Sequence, residues 1–291
     1  MSIFLQLVSE GLLLGTFYAF MSLGFFLTWG VLNIINLAYG TYVVIGSYIA
    51  YSVYRTFGLD PALSIPLSFM CGAAFGIISQ KFLINRIMFR EPFMVLIITF
   101  GFDIMLSHFL NLIFKADVRS IDVWYAEKSL VIGNFVFSVV KIAIAVISGI
   151  LIAALYIWLR RSWTGKAIRA VALDIEGARL VGINPYRIFL ITSGIGTGIA
   201  FSAGNLYGVI QGFTPFDGGF LTIKAFLISI LGGLGRIENV LVGGVLIGIF
   251  EVFTGFYIGE TWKLFAALFL MLIILSLRPR GLFGGKYYGQ I

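Results

Sequence analysis

RRSWTGKAIRAVALDIEGARLVGINPYR, residues 160–187, holds six basic residues, two acids and a proline, in a chain that is 60% hydrophobic and 11% charged. Soluble domains carry about 25% charged residues. The chain around this stretch is therefore built for lipid, and the stretch itself for water. The contrast predicts an all-α polytopic membrane protein with a folded, charged connector outside the bilayer. The connector has helix punctuation. Gly165 to Leu173 reads as a short amphipathic helix. Asp174 suits the N-cap of a second one with Glu176 in its first turn, and Gly182 suits its C′ position. Asn184–Pro185 then stops the helix before the next span. Ile168, Val171, Leu173, Leu180 and Val181 offer an apolar stripe, and Arg169 and Arg179 polar handles. The segment reads either as a loop that only fixes topology or as a docking helix for a cytoplasmic partner.

Working outward, a span needs about 20 mostly apolar residues. Apolar stretches run 6–28, 34–54, 62–85, 93–114, 136–159, 188–211, 221–235, 239–257 and 262–277, which gives eight or nine membrane segments. Those at 34–54 and 221–235 are Gly-rich and begin in polar, irregular sequence, so either is a candidate for a broken or re-entrant helix. Four connectors hold thirteen of the twenty Lys and Arg: Lys81, Arg86 and Arg90; the six of 160–187; Arg236; and Arg278, Arg280 and Lys286. The 115–128 connector instead balances Lys115, Arg119 and Lys128 against Asp117, Asp122 and Glu127. Counted alternately, the four basic connectors share one side, which the positive-inside rule makes cytoplasmic together with the C-terminus. The N-terminus then falls outside. MSIFLQLVSEGLLLG lacks the features of a signal peptide and is expected to run directly into the first span.

An ungapped shift of 181 residues lays GTFYAF, 15–20, on GTGIAF, 196–201, and Thr41 on Thr222. In each half a Gly-rich helix runs into a polar, turn-like piece and then further helices. The pieces are LNIINLAYGTY, 32–42, and FTPFDGGFLTIK, 213–224. Five spans separate the copies, so the repeats, roughly 6–114 and 188–277 within one transmembrane domain of 1–291, would be inverted. Transporters with inverted repeats place such interruptions near the substrate path.

Some chemistry is excluded. One cysteine, Cys71, and one histidine, His108, leave no zinc cluster, multi-His metal site or intrachain disulfide. No nucleophile–base–orienter set is available, so an enzyme is not expected. The phosphate loop G-x-x-x-x-G-K-[ST] is absent, since Lys166 is followed by Ala167 and Lys286 by Tyr287. If ATP drives transport, another chain hydrolyses it.

The chain resembles, over nearly its whole length, the permease subunits of ABC importers for branched-chain amino acids. GTFYAFMSLGFFLTWGVLNIINLAYGTYVVIGSYIA looks like that family's N-terminal signature, of the subunit type with N-x-x-N-x-A-x-G after the first span. GKAIRAVALDIEGARLVGIN looks like its coupling loop. KAFLISILGGLGRIENVLVGGVLIGIFE and LRPRGLFG also match in place. Tyr39 stands where the family usually has His, and RIEN, 236–239, where it usually has small residues and Pro. The resemblance implies a second homologous permease subunit, so a heterodimer, two cytoplasmic ABC ATPase subunits and an extracytoplasmic binding protein. It implies no bound cofactor and no nucleic acid. It also implies that Gly165, Lys166, Arg169, Asp174, Glu176, Arg179, Leu180 and Gly182 belong to the ATPase-coupling segment.

Charges inside a membrane are costly and face protein or water. Asp103 and His108 in the fourth span do not share a helix face well and read as structural polar contacts or as a proton relay. Lys224 and Glu251 read as a buried pair or as substrate contacts. Asn33, Asn36, Tyr39, Gly40, Thr41 and Thr222 sit at the two breaks, where they either satisfy loosened backbone or line the path. The expected function is import of branched-chain or other hydrophobic amino acids. The alternatives are a related permease for urea, an amide or a sugar, and an ion- or proton-coupled secondary transporter.

Overall fold

The computed structural model describes residues 2–88, 92–126, 128–132, 135–233, 235–278 and 281–282. Of the connector charges counted above, Arg90, Glu127, Arg280 and Lys286 lie outside them. Eleven helices are described: α1 (Ser2–Leu32), α2 (Tyr39–Phe57), α3 (Pro61–Ser79), α4 (Pro92–Phe114), α5 (Val139–Arg161), α6 (Trp163–Leu173), α7 (Ile175–Leu180), α8 (Pro185–Ile210), α9 (Gly218–Gly232), α10 (Ile237–Tyr257) and α11 (Lys263–Leu277). α3 runs on through a π-helical turn at Gln80–Ile84, and a 3₁₀ turn at Glu260–Trp262 leads into α11.

Seven of these are long and apolar enough to cross a membrane: α1, α3 with its π turn, α4, α5, α8, α10, and α11 with its 3₁₀ lead-in. Of the other four, α6 and α7 make up the charged connector, and α2 and α9 follow the two polar interruptions. α2 has 19 residues and carries Thr, Ser and Arg among its apolar positions. α9 has 15 residues, so at 1.5 Å per residue it is about 22 Å long, against a hydrocarbon core of about 30 Å.

The stretch at 136–159 is not a helix throughout. β1 (Ser129–Ile132) and β2 (Phe135–Ser138) pair antiparallel, Leu130 opposite Phe137 and Val131 opposite Val136, and α5 starts only at Val139. The preceding connector is also ordered. Arg119 and Phe213 exchange backbone hydrogen bonds of 3.0 and 2.8 Å, and the Ile121 N–H donates to Gly208 O. The Arg119 guanidinium donates to Tyr51 OH and Phe114 O. The connector thereby closes over the ends of α2, α4 and α8.

The core is made by α1 and α8, which are mostly buried, whereas α11 has a single buried residue, Ala267. The two broadest helix contacts are α1 along α10 and α3 along α8, and α2 lies against both α8 and α9. Exchanging α1 with α8, α2 with α9 and α3 with α10 turns the first broad contact into the second. Both rest on small residues that let backbones approach. Gly15 on α1 meets Gly248 on α10, and Gly76 on α3 meets Ser193 and Thr197 on α8.

Candidate functional site

The first interruption leaves α1 at Asn33, an exposed residue held at φ 54°, and doubles back. Asn36 Oδ1 accepts from the Ala38 N–H at 3.0 Å, forming a side-chain-closed turn at the head of α2. Tyr39 then reaches back to α1 and donates its hydroxyl to Met21 O at 2.5 Å. The first N–H groups of a helix have no partner within it. Here Gly40 N–H donates to Thr222 Oγ1, on α9, at 2.7 Å. That hydroxyl in turn donates toward Leu37 O at 3.0 Å and Gly218 O at 3.1 Å. The head of α2 is thus capped by a side chain of α9. The approach requires glycine: a Cβ on Gly40 would lie 1.9 Å from Gly218 O. Thr41, one residue on, donates to Asp103 of α4, and Ser107 Oγ lies 3.4 Å from the same threonine hydroxyl.

A second polar cluster lies beside this crossing. Lys224 Nζ is 3.1 Å from Glu251 Oε2 and donates to Tyr18 OH at 2.7 Å, while that hydroxyl donates to the same Oε2 at 2.7 Å. The ammonium also stands 4.4 Å from the centre of the Tyr18 ring. Glu251 is 1% exposed and the Lys224 side chain 18% exposed, so the cluster that joins α1, α9 and α10 is buried at its carboxylate and partly open at its ammonium. Glu251 Oε1 has no hydrogen-bond partner. Asp103 and His108 do not meet. Asp103 belongs to Thr41, and His108 Nδ1 lies 2.9 Å from Ile104 O with its ring edge on Phe216.

The charged segment is an ordered helix pair. Ser162 Oγ accepts from the Gly165 N–H at 2.9 Å and starts α6. Asp174 Oδ1 accepts from the Glu176 N–H at 3.0 Å and starts α7. Gly182, at φ 83°, ends α7 with the N–H of Ile183 returned to Ala178 O. Asn184 then caps α8, with Pro185 in its first turn. The expected apolar stripe divides. Ile168 and Val171 are buried inside this chain, so they are not available to a partner. Leu173, Leu180 (89% exposed) and Val181 face outward. The reason is that α6 folds back against the ends of α1, α5 and α8. Gly165 abuts the backbone of Leu159, whose carbonyl accepts from Arg169 Nη1 at 2.8 Å. Lys166, Glu176 and Arg179 are exposed.

A cavity of about 740 Å³ opens where α6 meets the ends of α1 and α5 and the α9–α10 turn. Arg160, Arg161, Arg169 and Arg236 border it, with Glu238 as its acid and Phe26, Val31 and Tyr156 on its apolar side. None of the residues expected along the substrate path lines it.

Of those expected residues, the structure brings Gly40, Thr41 and Thr222 together at the crossing and Lys224 and Glu251 together beside it. Asn36 and Tyr39 shape the turn between α1 and α2, and Asn33 stands apart on the surface. Sequence reasoning missed Tyr18, which one Tyr among thirteen does not announce. It also missed Ser162, although Ser followed by a Gly-containing turn is an N-cap signal.

Residues 7–277 match a protein-family model described as branched-chain amino acid transport system / permease component. BraD of Pseudomonas aeruginosa, a high-affinity branched-chain amino acid transport system permease protein, is 32% identical over 97% of this chain and 96% of its own. LivH of Escherichia coli strain K12, named likewise, is 29% identical over 97% and 96%. FrcC of Rhizobium meliloti, a fructose import permease protein, is 29% identical over 75% of this chain and 62% of its own. No solved structure matches the chain.

Proposed function

The chain belongs to the family of permease components of branched-chain amino acid transport systems, and on that premise we propose that it is one transmembrane subunit of an ATP-driven importer. Its solute would be a branched-chain or other hydrophobic amino acid delivered by an extracytoplasmic binding protein. The observation that carries this reading is the end-to-end match to branched-chain amino acid permeases, over 97% of the chain. A second homologous permease would complete the pathway, and two ATPase subunits would supply the energy, since this sequence has no phosphate loop.

In this reading the basic connectors and the C-terminus face the cytoplasm, in keeping with their charge. α6 and α7, including Lys166, Glu176 and Arg179, receive the ATPase. An apolar edge of Leu173, Leu180 and Val181 flanked by arginines suits a groove with acids at its rim. Motion there passes through α8, which is joined directly to α7 and leads into the second interruption. The halves 6–114 and 188–277 act as inverted repeats, a view supported by the exchangeable packing of α1 on α10 and α3 on α8. The crossing of α2 and α9, with Asn36, Tyr39, Gly40, Thr41 and Thr222, then forms the hinge and wall of the path. Lys224 and Glu251 hold α9 to α10 beside it.

The test is reconstitution in liposomes with the ATPases, the second permease and the binding protein. ATP-dependent uptake of leucine is expected. Uptake driven by a proton gradient without the ATPases would overturn the reading, and uptake of fructose in place of leucine would reassign the solute.

A further inference from the structure

The cavity at the end of α1 takes no part in the proposed substrate path. Four arginines border one space with a single acid, Glu238. Among the described residues, none of the four forms an ion pair. Arg160 is held over the Tyr156 ring at 5.2 Å, and Arg169 is steadied by the Leu159 carbonyl at 2.8 Å. Two of the guanidiniums are therefore positioned without being neutralised. Like charges gathered around a cavity repel one another unless an anion joins them. Guanidinium groups offer paired donors that fit the oxygens of a phosphate.

The other side of the cavity is apolar, formed by Phe26, Val31 and Tyr156 in the last turns of two spans. The depth is marked by exposed tryptophans: Trp158 in α5 and Trp163, 84% exposed, at the head of α6. Exposed tryptophan is enriched where hydrocarbon gives way to headgroups. A site that is basic on its water side, apolar on its membrane side and set at headgroup depth fits an amphiphile. Its volume lies within the range of about 300–1,000 Å³ usual for small-molecule sites.

We propose that this cavity binds the headgroup of an anionic phospholipid of the adjoining leaflet. Arg160, Arg161, Arg169 and Arg236 take the phosphate, and an acyl chain lies along Phe26 and Tyr156. A bound lipid would tie α6 to the α9–α10 turn, both of which border the cavity. An acidic segment of a partner protein is the weaker fit. The outward residues Leu173, Leu180 and Val181 do not border the cavity, and its floor is a pair of spans.

The full chain, purified in neutral detergent and stripped of lipid, is titrated with phosphatidylglycerol, phosphatidylcholine or excess inorganic phosphate. Thermal unfolding and lipid retention by native mass spectrometry are read for each. Phosphatidylglycerol is expected to be retained and to raise the unfolding temperature, with phosphatidylcholine and free phosphate doing neither. In Arg160→Gln/Arg236→Gln the affinity for phosphatidylglycerol should fall about tenfold or more, the loss expected from one or two charge-assisted hydrogen bonds. Arg236→Lys alone should keep most of it. Arg55→Gln, which removes one arginine charge at the end of α2, should keep all of it. Equal retention by the double variant and the unaltered chain would overturn the proposal. So would a response to free phosphate equal to that to the lipid, or retention lost equally in Arg55→Gln.

Discussion

Tyr18 stands between a lysine and a glutamate, and the three share one oxygen, Glu251 Oε2. Removing one member of a buried pair leaves the other charge without compensation, at a cost of about 3–5 kcal/mol. The lower end applies here, because Lys224 is 18% exposed. Lys224→Met should therefore lower stability markedly, and Lys224→Met/Glu251→Gln should recover part of the loss. A double-mutant cycle on unfolding in detergent measures the coupling, and strictly additive losses would show that the residues do not interact. Opposite charges at 224 and 251 were legible in the sequence, because a charge in an apolar span needs a partner. The tyrosine was not, since nothing in a span of Phe, Tyr and Leu says which ring turns inward. Thr41 shows the same limit from the other side. Its alignment with Thr222 was visible, but its bond to Asp103 depends on how α4 leans on α2.

The paired helices α6 and α7 were the most readable element, because their ends are written in side chains: Asp174 accepts the Glu176 N–H, Gly182 takes a positive φ, and Pro185 opens α8. What the pattern could not say is which way each apolar residue faces. Ile168 and Val171 serve this chain and Leu180 and Val181 do not, a division made by the ends of α1, α5 and α8 rather than by α6 itself. Leu180→Asp/Val181→Asp should leave insertion and thermal stability of the permease within about 0.5 kcal/mol of the unaltered chain, as exposed substitutions usually do. Assembly with the ATPase and transport should be lost together. Normal assembly and transport at the unaltered rate would mean that the segment only sets topology. The β1–β2 hairpin was not readable. FVFS is apolar enough to pass for the first turn of the span expected at 136–159, and only its pairing with SLVI takes it out of that span.

At the scale of the molecule, the order of the apolar segments followed from composition; of the nine expected, seven are long and apolar enough to cross a membrane, and polar interruptions precede the two that fall short. The capping of α2 by Thr222 of α9 did not, since a contact across 182 residues leaves no local trace. The orientation can be tested directly. In a Cys71→Ser background, single cysteines at Ser162 and Asp122 should be labelled by impermeant reagents from opposite sides of the membrane, and labelling from one side would refute the topology. The packing of α1 on α10 also has a consequence in time. About 225 residues separate the ends of these helices, and at ribosomal rates of 5–20 residues per second their meeting is delayed by roughly ten to forty-five seconds. Throughout that interval Gly11 and Gly15, which end against Ile249, Val245 and Gly248, face either lipid or whatever escorts the nascent chain. α1 is thus among the last of these helices to complete its packing, and a polypeptide released after α5 would leave the face that carries Gly11 and Gly15 uncovered.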